Sequence, residues 1–177
     1  MRGMVIDASV ALKLVRTESG SDAVRRHLQG TIEREEPTLV PPLFWLEVVN
    51  SLATRHRYSP SAIVEAVYEF ERVGLRTADV GRPATLAVVD VMGRTGLTAY
   101  DATYLVLAES SDAALLTADA RLAEAAGDRA ILVGDRRGVA ESAAPYRVVH
   151  QWLDWPGAVA YLGELRRGLG NAPPGSP

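Results

Sequence analysis

Cysteine is absent from this sequence of 177 residues, and only three histidines occur in it. The absence of cysteine excludes a disulfide framework and any metal site that is built on thiolates. Three histidines without ligand spacing also give little material for a zinc site built on imidazoles. Any metal that the chain binds must therefore be held mainly by oxygen ligands.

Long uncharged apolar stretches are also missing, although hydrophobic residues make up 47% of the chain. No stretch has the length that a membrane-spanning helix needs. The first residues reach the acidic Asp7 without the apolar run of a secretory signal. We therefore expect a cytoplasmic protein with one ordinary domain, or one domain and an appendage, and with enough apolar residues to form a core.

Short apolar runs alternate with helical patterns along most of the chain. The predicted strands are residues 4–6, 38–40, 75–80, 113–116 and 130–133. The predicted helices are residues 9–15, 21–29, 43–56, 60–73, 83–95, 98–109 and 121–126, with glycines 30, 74, 96 and 127 following four of them. This alternation predicts an α/β sandwich with a mostly parallel central sheet flanked by helices.

The pattern changes after Val133. Residues 134–144 are polar and loop-like, whereas residues 146–150 predict an extra strand and Pro156 stands near the start of a predicted helix. The composition of residues 171–177 is typical of a disordered end. We therefore expect a domain over residues 1–133, an extension over residues 134–170 that packs on it, and a disordered tail over residues 171–177.

Four acidic residues stand where a parallel sheet would bring them together. Asp7 and Asp119 each follow an apolar strand, and ligands bind at the carboxyl ends of strands in open parallel sheets. Glu47 and Asp101 lie among apolar neighbours near the starts of their predicted helices. Because isolated buried carboxylates are unfavourable, a shared cation would stabilise them. Hard oxygen ligands select Mg²⁺ or Mn²⁺.

Three smaller polar residues lie close to these acids in the sequence. Ser9 is two residues after Asp7, Thr117 is two residues before Asp119, and Asn50 is one helical turn after Glu47. We expect these side chains to orient carboxylates or to bind metal-coordinated water. A metal held in this way lowers the pKa of a bound water and polarises a phosphoryl oxygen, so no protein nucleophile is needed.

Four short motifs, taken together and in order, resemble the PIN domain, and more narrowly the VapC-type toxins of bacterial toxin–antitoxin pairs. The motifs are Val5-Ile6-Asp7-Ala8-Ser9, Glu47-Val48-Val49-Asn50, Tyr100-Asp101-Ala102 and Leu116-Thr117-Ala118-Asp119. The resemblance covers about residues 1–133 and implies a PIN-like three-layer sandwich. It also implies a Mg²⁺- or Mn²⁺-dependent endoribonuclease that is usually a homodimer and is silenced by a small cognate antitoxin.

The same resemblance assigns roles to individual residues. It places metal binding and catalysis on the four acids and gives Ser9, Asn50 and Thr117 assisting roles.

The formal net charge of −3 does not exclude an RNA substrate. With four of the 22 acids set aside as metal ligands, 18 acids remain against 19 bases. This near-equal balance of acids and bases nevertheless argues against broad, non-specific electrostatic binding to nucleic acid.

Several alternatives stay open at this point. Asp7 alone could be a helix N-cap, Asp101 a first-turn acid, Asp119 a turn residue and Glu47 an exposed helix residue. The chain could also be an RNA-processing PIN nuclease that is not a toxin, or a catalytically weak scaffold that binds a partner. A resemblance to an aspartyl phosphatase or a phospho-receiver domain is disfavoured. Both families normally have a lysine late in the chain that pairs with the phosphoryl group, whereas Lys13 is the one lysine here.

Overall fold

The computed structural model describes residues 3–15, 19–79 and 81–134. All of them lie within a compact unit that spans Met1–Val139. The predicted strand at residues 146–150, the helix near Pro156 and the tail at residues 171–177 lie outside the described residues. The expected packing of residues 134–170 on the domain therefore stays a prediction.

The described residues form one parallel sheet of five strands. The strands are β1 (Met4–Ile6), β2 (Thr38–Val40), β3 (Leu75–Thr77), β4 (Ala114–Thr117) and β5 (Ala130–Leu132). Their order across the sheet is β3-β2-β1-β4-β5, and all four pairings are parallel. Ile6 pairs with Leu116, so Asp7 and Thr117 follow at the same level of two adjacent strands. The predicted parallel sheet is confirmed.

Seven helices connect and flank these strands in the described part of the chain. They are α1 (Ala8–Val15), α2 (Ser21–Glu33), α3 (Leu43–Thr54), α4 (Pro60–Arg72), α5 (Gly81–Thr95), α6 (Ala99–Ser110) and α7 (Ala120–Ala126). Helix α1 contacts α2 and α3, and α3 contacts α4, whereas α6 contacts both α5 and α7. Because crossovers between parallel strands are right-handed, the strand order places α1–α4 on one face and α5–α7 on the other. This arrangement is the predicted sandwich.

The hydrophobic core lies along the central strands and the helix that covers them. Val5, Ile6, Leu115 and Leu116 have no exposed surface. Helix α6 is buried continuously over residues 102–108, because it lies between α5 and the sheet. Apolar side chains that point all round a helix indicate a fully enclosed position. No helix within the described ranges has both the length and the hydropathy that crossing a bilayer requires.

Most predicted boundaries are confirmed within a few residues, but two differ for clear physical reasons. Gly30 was expected to follow α2, yet the helix continues through it to Glu33, because the buried Val24, Leu28 and Thr31 extend its apolar face. The strand predicted over residues 75–80 ends at Thr77. There the Asp79 carboxylate accepts a hydrogen bond from the Gly81 amide at 2.9 Å, which turns the chain into α5.

Candidate active site

The candidate site lies where the direction of the strand order reverses. From β1 the chain moves outward to β2 and β3, and it then returns on the other side of β1 to form β4. Such a switch point leaves a crevice at the carboxyl ends of the two central strands, which is where open α/β sheets bind ligands. Asp7 follows β1, and Thr117 and Asp119 lie at the end of β4. The sheet therefore brings the first and last of the predicted acids to one edge.

Asp7 is a buried carboxylate with a dense set of donors. Asp7 is only 7% exposed. Its Oδ2 atom accepts hydrogen bonds from Ser9 Oγ at 2.5 Å and from Thr117 Oγ1 at 2.7 Å, and its carboxylate also accepts from the Ser9 amide. Burial raises the pKa of Asp7 to about 6, although these hydrogen bonds lower it, and the charge of Asp101 raises it further.

Ser9 and Thr117 each use a second hydrogen bond to hold the chain after β4. Ser9 Oγ accepts from the Ala118 amide at 3.0 Å, and Thr117 Oγ1 accepts from the Asp119 amide at 2.9 Å. Because each hydroxyl oxygen already accepts from an amide, its proton is directed to Asp7. The two residues that the sequence placed in assisting roles therefore orient the Asp7 carboxylate and fix the segment that carries Asp119.

Asp101 lies in the first turn of α6, and its backbone and side chain are both bound to Thr98. Thr98 Oγ1 accepts from the Asp101 amide at 3.2 Å, and it lies 2.7 Å from Asp101 Oδ2, to which it donates. Thr98 is thus the N-cap of α6. Asp101 is half-buried, and its charge acts on Asp7. A structural role for Asp101 in the first helical turn is therefore compatible with a role in the acidic site.

Glu47 lies half-buried in α3 and is bound by a tyrosine for which the sequence predicted no role. Tyr104 OH donates a hydrogen bond of 2.5 Å to Glu47 Oε2. The charges of Glu47 and Asp7 both raise the pKa of Tyr104, after burial as the main cause, so the two acids lie near the same hydroxyl. The available signal was the spacing of three residues from Asp101 to Tyr104, which places both on one face of α6.

Asp119 has a structural role as a helix N-cap, whereas the alternative that the sequence offered for it was a turn residue. Its Oδ1 atom accepts hydrogen bonds from the Arg121 and Leu122 amides at 2.7 and 3.1 Å, which makes it the N-cap of α7. Asn50 lies half-buried one turn after Glu47 in α3. The metal-binding role of Asp119 and the assisting role of Asn50 stay predictions.

The carboxylate oxygens near Asp7 suit a hard cation, although they do not form a complete metal-binding cluster. Within residues 3–15, 19–79 and 81–134, no three acidic or histidine side chains lie together as a metal cluster, so the expected gathering of all four acids is not seen there. Mg²⁺ is commonly held by one or two carboxylates and keeps several waters. Burial and the charge of Asp101 both disfavour the ionised form of Asp7, and a bound cation would stabilise that form. The residues present therefore fit such an ion.

The chain matches the family model of the PIN domain over residues 4–128, which is most of its length. No curated protein matches the chain. Among solved structures, a protein of Pyrobaculum aerophilum, PAE2754, is similar with 26% identity and a TM-score of 0.55, over 75% of this chain and 90% of that one.

Two further structures share the fold at lower identity. A toxin–antitoxin complex from Klebsiella pneumoniae is similar with 14% identity and a TM-score of 0.55, over 73% of this chain and 96% of that one. The Mycobacterium tuberculosis VapC20, a sarcin–ricin loop cleaving toxin, has 14% identity and a TM-score of 0.57, over 75% of this chain and all of its own. The family match, together with a parallel sheet that carries an acidic site at its switch point, shows that the chain is a member of the PIN-domain family.

Proposed function

We propose that this protein is a metal-dependent endoribonuclease that acts as the toxin of a toxin–antitoxin pair. The observation that carries the proposal is the buried Asp7 carboxylate at the sheet's switch point, with two hydroxyl donors on one oxygen and the charge of Asp101 nearby. A fold that only presents a binding surface has no need of a costly buried acid at this position. Membership of the PIN-domain family supports a nuclease activity.

The proposed ion is Mg²⁺ or Mn²⁺, and its ligands are drawn from Asp7, Asp101, Glu47 and Asp119. The chemistry that such an ion supplies when bound is polarisation of a phosphoryl oxygen and a lowered pKa for the attacking water. Asp7 would be one of these ligands, and Ser9 and Thr117 fix its Oδ2 atom. Thr98 does the same for the carboxylate of Asp101.

The protein's own contribution to catalysis is positioning. Ser9 and Thr117 bind both Asp7 and the backbone after β4, so they hold these two segments together. Cleavage by an activated water requires no side-chain nucleophile, and the residues around Asp7 offer carboxylates and hydroxyls that orient and accept protons. A preorganised set of this kind lowers the cost of arranging charges during the reaction.

RNA and a small cognate antitoxin are the proposed partners. Two structurally similar proteins support them: one is described in a toxin–antitoxin complex, and the other is a toxin that cleaves the sarcin–ricin loop. Both are below 25% identity, so they support the proposal through the fold alone.

We also propose that the protein is a homodimer. Leu46 in α3 and Leu86 and Val89 in α5 are 62–66% exposed. Helices α3, α5 and α6 together line an apolar cleft that includes Leu43 and Val88. Exposed apolar side chains and apolar clefts are both typical of a surface that packs against another protein.

The nuclease is tested by incubating the purified protein with a mixed RNA pool in the presence of Mg²⁺, Mn²⁺ or EDTA. We expect cleavage with either metal, none with EDTA, and a loss of at least a hundredfold in the Asp101→Asn variant. Asp90→Asn is the matched control, because Asp90 is an exposed acid in α5 whose contact with Arg94 is long, at 3.7 Å. Metal-independent cleavage, or equal cleavage by Asp101→Asn, would reject the proposed site.

Expression in a bacterial host separates the toxin from an RNA-processing nuclease. A toxin should arrest growth, and Asp7→Asn should relieve the arrest without lowering the amount of folded protein. If the purified protein cleaves RNA but its expression leaves growth unaffected, the processing nuclease is the better assignment. If it neither cleaves RNA nor arrests growth, a partner-binding scaffold is.

A further inference from the structure

Tyr104 is a buried polar residue that links two helices of the site. It is 1% exposed and lies in α6, one turn after Asp101. Its hydroxyl donates to Glu47 Oε2 in α3, 57 positions away in the chain, at 2.5 Å. The charge of Asp7, which precedes the first residue of α1, also acts on this hydroxyl. The Tyr104 hydroxyl of α6 therefore binds α3 and lies close to Asp7.

The contact with Glu47 fixes the direction of the hydroxyl proton. A carboxylate can only accept, so the Tyr104 hydroxyl donates its proton to Glu47. A tyrosine hydroxyl ordinarily loses its proton only near about pH 10, so it is a donor at neutral pH. Hydrogen bonds from a hydroxyl to a carboxylate are typically short, and the distance of 2.5 Å lies in that range.

Burial of the phenol ring makes the orientation rigid. The residues around Tyr104 in α6 are buried from Ala102 to Ala108, and α6 packs against β1 and β4. The ring therefore cannot swing away from Glu47 without opening the core. Glu47 is a half-buried side chain in α3, and fixing the orientation of such a carboxylate when an ion binds costs rotamer freedom.

We propose that Tyr104 is a positioning residue, which holds Glu47 in one orientation beside Asp7 and so preforms the acidic site for a divalent ion. The inference rests on the proposed function, because it assigns Glu47 to the metal site. It predicts an effect on metal affinity that is separate from any effect on folding. Residues that orient metal ligands typically change metal affinity by about 10- to 100-fold when they are removed.

The test is a titration of the purified full-length protein with Mn²⁺, followed by electron paramagnetic resonance, which reports bound and free ion without any RNA present. Tyr104→Phe keeps the ring and removes the hydroxyl, and we expect it to weaken Mn²⁺ binding about tenfold. The control is Tyr68→Phe, since Tyr68 lies in α4 and is 48% exposed. It should bind Mn²⁺ as the native protein does.

A double-mutant cycle with Glu47→Gln distinguishes positioning from a general structural role. If Tyr104 acts through Glu47, the tenfold effect of Tyr104→Phe should be largely lost when Glu47 is already Gln. A Tyr104→Phe variant that melts earlier but binds Mn²⁺ with native affinity would overturn the inference. An effect of the same size in the Glu47→Gln background would overturn it as well.

The inference and the proposed nuclease can fail separately. If the native protein binds Mn²⁺, Tyr104→Phe weakens that binding and no RNA is cleaved, the positioning role stands and the nuclease proposal fails. If RNA is cleaved with metal and Tyr104→Phe matches the native protein in both assays, the nuclease stands and the positioning role fails. A native protein that binds no Mn²⁺ rejects the positioning role.

Discussion

Burial raises the pKa of Asp7 from 3.8 to about 6, against hydrogen bonds from Ser9 and Thr117 that lower it. The folded, metal-free protein therefore binds this proton more tightly than the unfolded chain does. As pH rises from about 4 to about 6, the unfolded state loses its proton first, so the free energy of unfolding decreases. Above the folded pKa it levels off, at a total cost on the order of 2–3 kcal/mol.

This linkage predicts that Asp7→Asn stabilises the metal-free protein at neutral pH. The amide removes the buried charge and can still accept from Ser9 and Thr117 through its oxygen, so we expect the melting temperature in EDTA to rise by a few degrees at pH 7.5. The gain should be small at pH 4, where Asp7 is protonated. Thermal melts at both pH values check this, and a lower melting temperature for Asp7→Asn at pH 7.5 would contradict it.

Thr98 allows stability and function to be separated at a second residue. Replacing it with Ala removes the N-cap of α6, which costs about 1 kcal/mol, and also the hydroxyl that binds Asp101. Ser59→Ala is the matched control, because Ser59 caps α4 through the Ala62 amide in the same way. We expect similar losses in urea denaturation for both variants, but a loss of RNA cleavage for Thr98→Ala alone. Equal cleavage would remove Thr98 from the site.

At the scale of single elements, Gly30 tests the extent of α2. Gly30 lies inside this helix, and an added Cβ would meet only the flexible end of Arg34, 3.1 Å from its Nη1 atom. Gly30→Ala should therefore stabilise the protein by about 0.5–1 kcal/mol, because alanine loses less backbone freedom in a helix. Urea denaturation measures the change. A destabilised variant would favour the helix end that the sequence indicated at Gln29.

The order of elements and most of their bounds could be predicted from periodicity, because apolar runs and helix-ending glycines are local signals. The strand order could not, since pairing β1 between β2 and β4 depends on contacts far apart in the chain. Gly30 was misinterpreted because glycine commonly ends helices, whereas here the buried Thr31 continues the apolar face.

The candidate site could be predicted in part from the sequence. Asp7, Ser9 and Thr117 were identified from their place at strand ends, and the structure brings them into direct contact. Tyr104 carried no functional signal, because an aromatic residue in an apolar helix is ordinarily core. Its hydrogen bond to Glu47 joins two helices that are far apart in the chain, so no local signal predicts it.

At the scale of the whole molecule, the exposed apolar side chains of α5 predict self-association. Leu86→Glu places a charge within the proposed dimer surface and should convert a dimer into a monomer, because burying that charge is unfavourable. Ile32→Glu is the control, since Ile32 is 59% exposed on α2, outside that surface. Light scattering coupled to size-exclusion chromatography gives the mass. A Leu86→Glu variant that remains dimeric would exclude this surface.

The proposed function requires a divalent ion at the carboxyl ends of β1 and β4. Anomalous diffraction from crystals of the protein soaked in Mn²⁺ tests it most directly, because the metal is located without assuming its ligands. We expect an anomalous peak within coordination distance of the Asp7 carboxylate, with Asp101 beside it, and no such peak in Asp7→Asn crystals. Ordered native crystals that show no peak at Asp7, or the same peak with Asn at this position, would contradict the account.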